Sequence, residues 1–552
     1  MRKIIFSSAA MLTAVAMLAG FGNARSNRAT RTKAAPVTVT MLAQALTSIG
    51  NLSSNTFTKY VEKKFNMKLV LDAVPTADIQ TKQSVLLNSG EYPEIIWDGD
   101  LTAPQVLQYG SEGLFVPLNS LLKKYAPNLW HTIQTNPQLK QAVVAPNGSI
   151  YSIPFWQYSL EGMFSTRMWI YKPFLAKYHL SLPRTTAQFE HVLEVFKQHG
   201  IIPLTGANND YQSEPVPFLM NSFIYDQGSN TGGGYGASGT MFFETNKAGN
   251  LTFAPIQPAW KQGLEYMHTL WSKGLMDPGT FSQGYNTTHA EEANQKVGVV
   301  PVGYMYSAFA YQSKLANWEA VPPLTGPTGK HYATMWPGVE NYAFAVTNKA
   351  TKAEAIAAIK LLNYTSTSNG YMTAEYGPEG TYWKAAPKGV KSANGKQAKY
   401  VLQGTMPDPS NVDWGNNGAQ VQGQSQAYNI AAGSPFTNNS AQENSFTLYY
   451  TSLDYAGNQP KYVLPGTIWV TKSQVQQYGA DQTNINNYVQ TWEEEFITGA
   501  KPFSAWNQYV AGLRALGLAQ YTTMTKTAMG KPFNTSSFTS DHAIVNYLGS
   551  LK

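Results

Sequence analysis

Aromatic rings stand beside hydrogen-bonding side chains at several points where the chain leaves a predicted strand. Trp97 and Asp98 close the run Glu91-Tyr92-Pro93-Glu94-Ile95-Ile96, Trp156 and Tyr158 follow Ile150 to Pro154, and Arg167 precedes the apolar run Met168 to Tyr171. Tyr304 and Tyr306 come after Lys296 to Pro301, Trp336 and Glu340 enter the run that ends at Val346, and Glu379, Trp383 and Trp414 lie beyond it. Rings pack on apolar C–H faces, while carboxylates, amides and guanidinium groups make paired hydrogen bonds to a fringe of hydroxyls. That chemistry is binding without bond making. The chain carries 13 Trp and 33 Tyr, and any one ring at a strand end serves equally well as core.

Bond-making patterns are scarce. Glu493, Glu494 and Glu495 are adjacent on a predicted helix, so they point in different directions and read as a solvated helix face rather than an acid/base pair. His289-Ala290-Glu291-Glu292-Ala293 lacks the second histidine of a zinc-protease helix. Gly234 to Gly239 matches G-x-G-x-x-G, but it sits in a Ser/Asn/Gly stretch and leads into a strand, which reads as a hairpin loop rather than a nucleotide cradle. With no cysteine there are no disulfides, thiolate metal sites or thiol nucleophiles.

The elements that must position these residues follow from periodicity. Val37 to Met41 and Lys68 to Asp72 read as strands on either side of a helix over about Ser53 to Phe65, and a helix over Asp78 to Asn88 turns Ile79, Val85 and Leu86 inward. After Leu114 to Leu118 and a helix from Asn119 to Tyr125, Pro146-Asn147-Gly148 makes a turn into a strand ending at Pro154. Lys172 to His179 is helical, and a helix starting at Thr185 or Thr186 buries Phe189, Val192, Leu193 and Phe196. Ile201 to Leu204 is a strand, Trp260 to Lys273 a helix closed by Gly274, and Trp336 to Val346 a strand leading to a helix capped near Thr351. Asn394 to Gly466 reads as loops rich in Asn, Gln and Gly.

Several of these stretches together resemble the extracellular solute-binding proteins that feed ABC importers for sugars. The carriers are "EYPEIIWD" (91–98), "YKPFLAKYHLSLPRTTAQFEHVLEVF" (171–196), "WSKGLMDPGTF" (271–281), "TNKATKAEAIAAIKLLNY" (347–364), "EYGPEGTYW" (375–383) and "YVQTWEEEFITGAKPFSAWNQYVAGLRALGLAQY" (488–521). Pro173 stands where an Asp is usual in that family, and His179 where a Gly is usual. The resemblance implies an α/β, two-lobed periplasmic-binding-protein-like fold of type II, with crossing strands at a hinge and additional C-terminal helices. Residues 37–169 plus about 343–405 would form the N-terminal lobe, and 170–342 plus about 406–552 the C-terminal lobe. It implies capture of an oligosaccharide between the lobes and delivery to ABC importer permease subunits, without catalysis, by a monomer. Trp97, Asp98, Trp156, Tyr158, Arg167, Tyr304, Tyr306, Trp336, Glu340, Glu379, Trp383 and Trp414 would line the site. Relatives that bind acidic sugars carry a calcium loop before the strand that here begins at Ile201; Phe196-Lys197-Gln198-His199-Gly200 leads directly into it, so neither a metal nor another cofactor is expected. A peptide or other solute in the same fold and a secreted polysaccharide-active enzyme are the alternatives.

Location follows from the amino-terminal segment. Met1-Arg2-Lys3 and the apolar run Ile4 to Leu18 read as a secretion signal, with residues 1–36 comprising signal and tether. Leu18-Ala19-Gly20 resembles a lipoprotein signal, but a thioether anchor needs Cys at position 21, and Phe21 occupies it. The expected location is extracellular, secreted or held at the cell surface. Six basic residues and no acid fall within residues 1–33, so removing them from the net charge of +7 leaves +1 for the remainder, which argues against a nucleic-acid partner. Only 13% of residues are charged, which suggests an extracellular surface adapted to acidic or otherwise unusual surroundings, because hydroxyl and amide groups keep their charge state as pH changes.

Overall fold

Short runs of alternating or continuous apolar residues form the strands of two main sheets. The structure, a computed structural model, describes residues 35–45, 50–75, 78–156, 160–207, 212–227, 242–284, 287–288, 290–291, 296–303, 317–392, 395–404, 429–431 and 451–536. In chain order the strands are β1 (Val37–Ala45), β2 (Met67–Pro75), β3 (Ile95–Leu101), β4 (Ser152–Trp156), β5 (Met168–Tyr171), β6 (Ile202–Leu204), β7 (Phe243–Thr245), β8 (Leu251–Phe253), β9 (Val297–Pro301), β10 (Trp318–Val321) and β11 (Val339–Val346). Residues Val37–Lys552 form one compact unit.

The first sheet has the order β2-β1-β3-β11-β4. β1 pairs in parallel with β2 and β3, whereas β11 returns antiparallel between β3 and β4. The second sheet runs β10-β5-β9-β6, with β5 antiparallel to both neighbours and β6 parallel to β9. β11 lies some 240 residues after β3 in sequence yet completes the same sheet, so the chain leaves the first sheet after β4 and comes back at β11. Boundaries expected at 169/170 and 342/343 therefore fall within β5 and β11.

Helix caps follow the sequence closely. Asn55 caps Thr56–Phe65 by accepting from Phe57 N–H, Thr185 caps Thr186–Gln198, and Thr351 with Glu354 forms a reciprocal capping box on Lys352–Thr365. Phe189, Val192, Leu193 and Phe196 are all buried, as their spacing predicts. The helix Ile79–Ser89 differs from expectation. It buries Ile79, Gln83 and Leu87, whereas Val85 is 59% exposed. The strict i, i+4, i+8 row faces the sheet, and a polar residue in its middle disguised that row.

The helix Val475–Thr498 spans about 36 Å at 1.5 Å per residue. It packs against Ala103–Ser111 beside the first sheet and against Pro258–Ser272 beside the second. Within it, Glu494 is exposed but Glu493 is buried, which corrects the expectation of a solvated glutamate face. Trp492, Glu493, Phe496 and Ile497 share the inward side, and Glu493 follows them because it lies one residue from Trp492 and three from Phe496.

Candidate functional site

The site is built where three strand ends meet. β3 runs toward Leu101, β4 runs toward Trp156, and antiparallel β11 starts there: Tyr342 stands opposite Leu101, and Val339 opposite Trp156. In sheets of this kind ligands gather at the carboxyl ends of parallel strands. Between the pairs Trp97–Phe344 and Leu101–Tyr342, three residues of β3 stand against Ala343 alone. Asp98-Gly99-Asp100 is thus a bulge, and both aspartates have left-handed backbone, with φ of 59° and 52°. Strained non-glycine residues of this kind persist only where their surroundings hold them in place.

The restraints are visible. Asp100 accepts hydrogen bonds from Asn341 Nδ2 and from Gln80 Nε2, each at 2.5 Å. Gly99 is packed so closely that a Cβ there would lie 2.3 Å from Ile96 Cγ2 and 2.7 Å from Gln83 Oε1. Burial, with the charge of Asp100 as the second cause, pushes the Asp98 carboxyl up to about 7. Gly99→Ala should therefore destabilise the protein by about 1 kcal/mol through overpacking, and it should shift the Asp98 titration as the bulge moves. Urea unfolding and a carbon-detected carboxyl titration measure the two effects.

The second sheet meets the same region. β5 begins just after Arg167, opposite the end of β9, with Met168 paired to Pro301. The Arg167 guanidinium is 1% exposed; it donates from Nη1 to Gly303 O at 2.7 Å and from Nη2 to Ser452 Oγ at 2.5 Å. The link from β4 to β5 passes through the helical turn Leu160–Met163, where Met163 O accepts from Trp336 N–H at 2.8 Å.

The expected site residues fall into four groups. Asp98 and Trp336 lie at the junction, and Glu340 lies there by its backbone in β11. Trp97, Trp156 and Arg167 reach the same strand ends, but their side chains are core: each is exposed by 1% or less, and Trp97 packs edge-on against Phe344 with ring centroids 5.2 Å apart. Trp336 is 5% exposed. Trp383 and Glu379 are not brought to this junction. Trp383 donates to Gly377 O and belongs, with Met372, Tyr400, Leu402 and Ile430, to a separate small core, and Glu379 is exposed beside it. Tyr158, Tyr304, Tyr306 and Trp414, and the Gly-rich loop 228–239, lie outside the described residues. Asp100, Asn341, Gln80 and Gln83 were missed; the only signal was the Asp-Gly-Asp spacing, which interrupts an apolar strand. Among the described residues no group of three or more His, Cys, Asp or Glu is placed to hold a metal ion, and no helix is long and apolar enough to cross a membrane.

Comparison with known proteins places this geometry in a family. The family model for bacterial extracellular solute-binding proteins matches residues 55–382. A fructooligosaccharide ABC transporter substrate-binding protein of Streptococcus pneumoniae, FusA, is 27% identical over 269 residues, covering 47% of this chain and 48% of that protein. The chain thus aligns with about half the length of that relative. The solved structure of S. pneumoniae FusA in complex with kestose superposes with a TM-score of 0.71 at 18% identity, covering 89% of this chain and 98% of that one. The alginate-binding protein AlgQ2, solved without calcium ion, gives 0.66 at 19% identity, covering 90% and 99%. Likeness at these identities establishes the fold, a two-lobed α/β architecture. The chain belongs to the bacterial extracellular solute-binding proteins.

Proposed function

We propose that this protein captures an oligosaccharide outside the cell, between two lobes built on the two sheets, and presents it to the permease of an ABC importer. The observation that carries this reading is the junction at the ends of β3 and β4 and the start of β11, where the Asp98-Gly99-Asp100 bulge is held in a strained conformation by Gly99 packing and by Asn341 and Gln80. Strain maintained by several partners at a strand end is the mark of a preorganised binding surface. The names of its relatives, a fructooligosaccharide binder and an alginate binder, support a carbohydrate as the ligand class. Asp98 would face the sugar, with Trp336 behind it. The first lobe would comprise residues 37 to about 160 together with 339–405, and the second the rest, acting as a monomer that closes by a hinge at the β4–β5 and β10–β11 connections. The protein would bind and release its ligand unchanged.

A thermal-shift and tryptophan-fluorescence screen against neutral oligosaccharides, uronic oligosaccharides and short peptides tests this. A sugar at a hundred times its dissociation constant adds about 2.7 kcal/mol to stability. One sugar class should raise the midpoint and be recovered intact. Response to peptides alone, or recovery of a cleaved sugar, would sink the reading.

A further inference from the structure

The Asp98-Gly99-Asp100 bulge treats its two carboxyl groups differently. Each oxygen of Asp100 accepts from an amide, one from Asn341 and one from Gln80, which holds that carboxyl in place. Asp98 is partly buried, and among the described residues no donor reaches its carboxyl. The neighbouring elements bring it no cation. On β1 the residues opposite β3 are Met41, Leu42 and Ala43. On β11, Tyr342 spends its hydroxyl on Ala142 O, and Glu340 is a further acid by position. On the helix Ile79–Ser89, Lys82 lies 3.9 Å from Asp72 in an exposed pair, and the helix Ala103–Ser111 carries no charged residue.

We propose that this site captures its sugar with Asp98 as a neutral carboxylic acid, so that uptake is linked to a proton. The inference rests on the oligosaccharide reading above and adds the protonation state in which the site works. A ligand settling on Asp98 displaces the water that its ionised form depends on, and among the described residues the charge that acts on it is the like charge of Asp100, with no cation to offset it. The neutral form presents one donor and one acceptor, which match a pair of sugar hydroxyls without any cation. Burial and Asp100 already hold the ligand-free carboxyl near neutrality, at about 7, and covering it strengthens the first of these causes. Affinity should then be constant in acid and fall as pH rises through 7.

The test is calorimetric titration of the full chain with kestose and with trigalacturonate at pH 6 and pH 8, for the wild type and Asp98→Asn. Alongside it, urea midpoints of both ligand-free proteins are measured from pH 4 to 8.5. In the wild type, affinity for whichever sugar binds should be about tenfold weaker at pH 8 than at pH 6, because a group titrating near 7 is mostly ionised at the higher value. In Asp98→Asn the ratio should be close to one, whatever the absolute affinity. The ligand-free wild type should lose midpoint between pH 4 and 7 relative to the variant, since its folded state holds a proton that the unfolded chain has released. An equal pH ratio in both proteins, or wild-type binding that strengthens with pH, overturns the proposal. If neither sugar binds at either pH, the oligosaccharide reading falls and the coupling with it, while the urea series still reports whether Asp98 keeps its proton.

Discussion

Arg167→Ala should lower stability by about 4 kcal/mol, the largest loss expected of any single truncation near the site. The guanidinium is 1% exposed and joins three separate parts of the chain: the start of β5, Gly303 beyond the end of β9, and Ser452. Tyr455 reinforces the same attachment, since its hydroxyl donates to Val321 O at 2.5 Å. Truncation at 167 leaves Gly303 O and Ser452 Oγ without these charged donors in a space water does not reach, and it opens a cavity as well. Arg167→Lys should recover only part of the loss, because one ammonium cannot span two acceptors as the planar fork does. Urea midpoints for the three proteins check the order wild type, Lys, Ala. A loss below about 1 kcal/mol for alanine would show that the guanidinium is not the tie described. A variant that keeps its midpoint but loses sugar binding would return Arg167 to direct ligand contact.

The fate of Arg167 illustrates what the sequence could and could not disclose. Its position before an apolar strand was legible, and β5 forms at Met168–Tyr171 as that pattern predicts. The helices starting at Asn119 and Thr186 were legible for the same reason, since periodicity and caps act within a few residues. Exposure was not legible. Trp97, Trp156 and Trp383 look like ligand platforms by residue type, yet each is core, because sheet register decides which face a ring occupies. The most constrained feature of the site was the least visible. Asp100 is held by residues 20 positions before it and 241 after it, and the bulge exists only because β11 supplies one residue where β3 supplies three. Local pattern carries no trace of such pairings.

Glu493→Gln should stabilise the protein at neutral pH by about 2 kcal/mol and flatten its stability profile above pH 4.5. Glu493 is 8% exposed on the inward side of Val475–Thr498, and its Oε2 has no hydrogen-bond partner among the described residues. Burial pushes its carboxyl well above the usual range, and the charges of Asp226 and Glu214 push in the same direction. The sign follows from linkage. The unfolded chain releases this proton near pH 4.3 while the folded protein retains it, so stability is greatest below that value and falls as pH rises toward the folded titration point. The amide keeps the shape and has no proton to lose, so the variant gains where the wild type is losing. Buried Tyr509 feels the Glu493 charge and should titrate earlier in the variant, a spectroscopic check independent of unfolding. Asp98 contributes a loss of the same sign from the first sheet, so the two acids together favour the folded state in mildly acidic surroundings. Their contributions separate by position: Asp98→Asn should change both stability and the pH response of binding, whereas Glu493→Gln, in the strut behind the second sheet, should change stability alone. If the Glu493→Gln profile runs parallel to the wild type from pH 4 to 8, the buried carboxyl is already ionised or already paired, and the acid preference must come from Asp98.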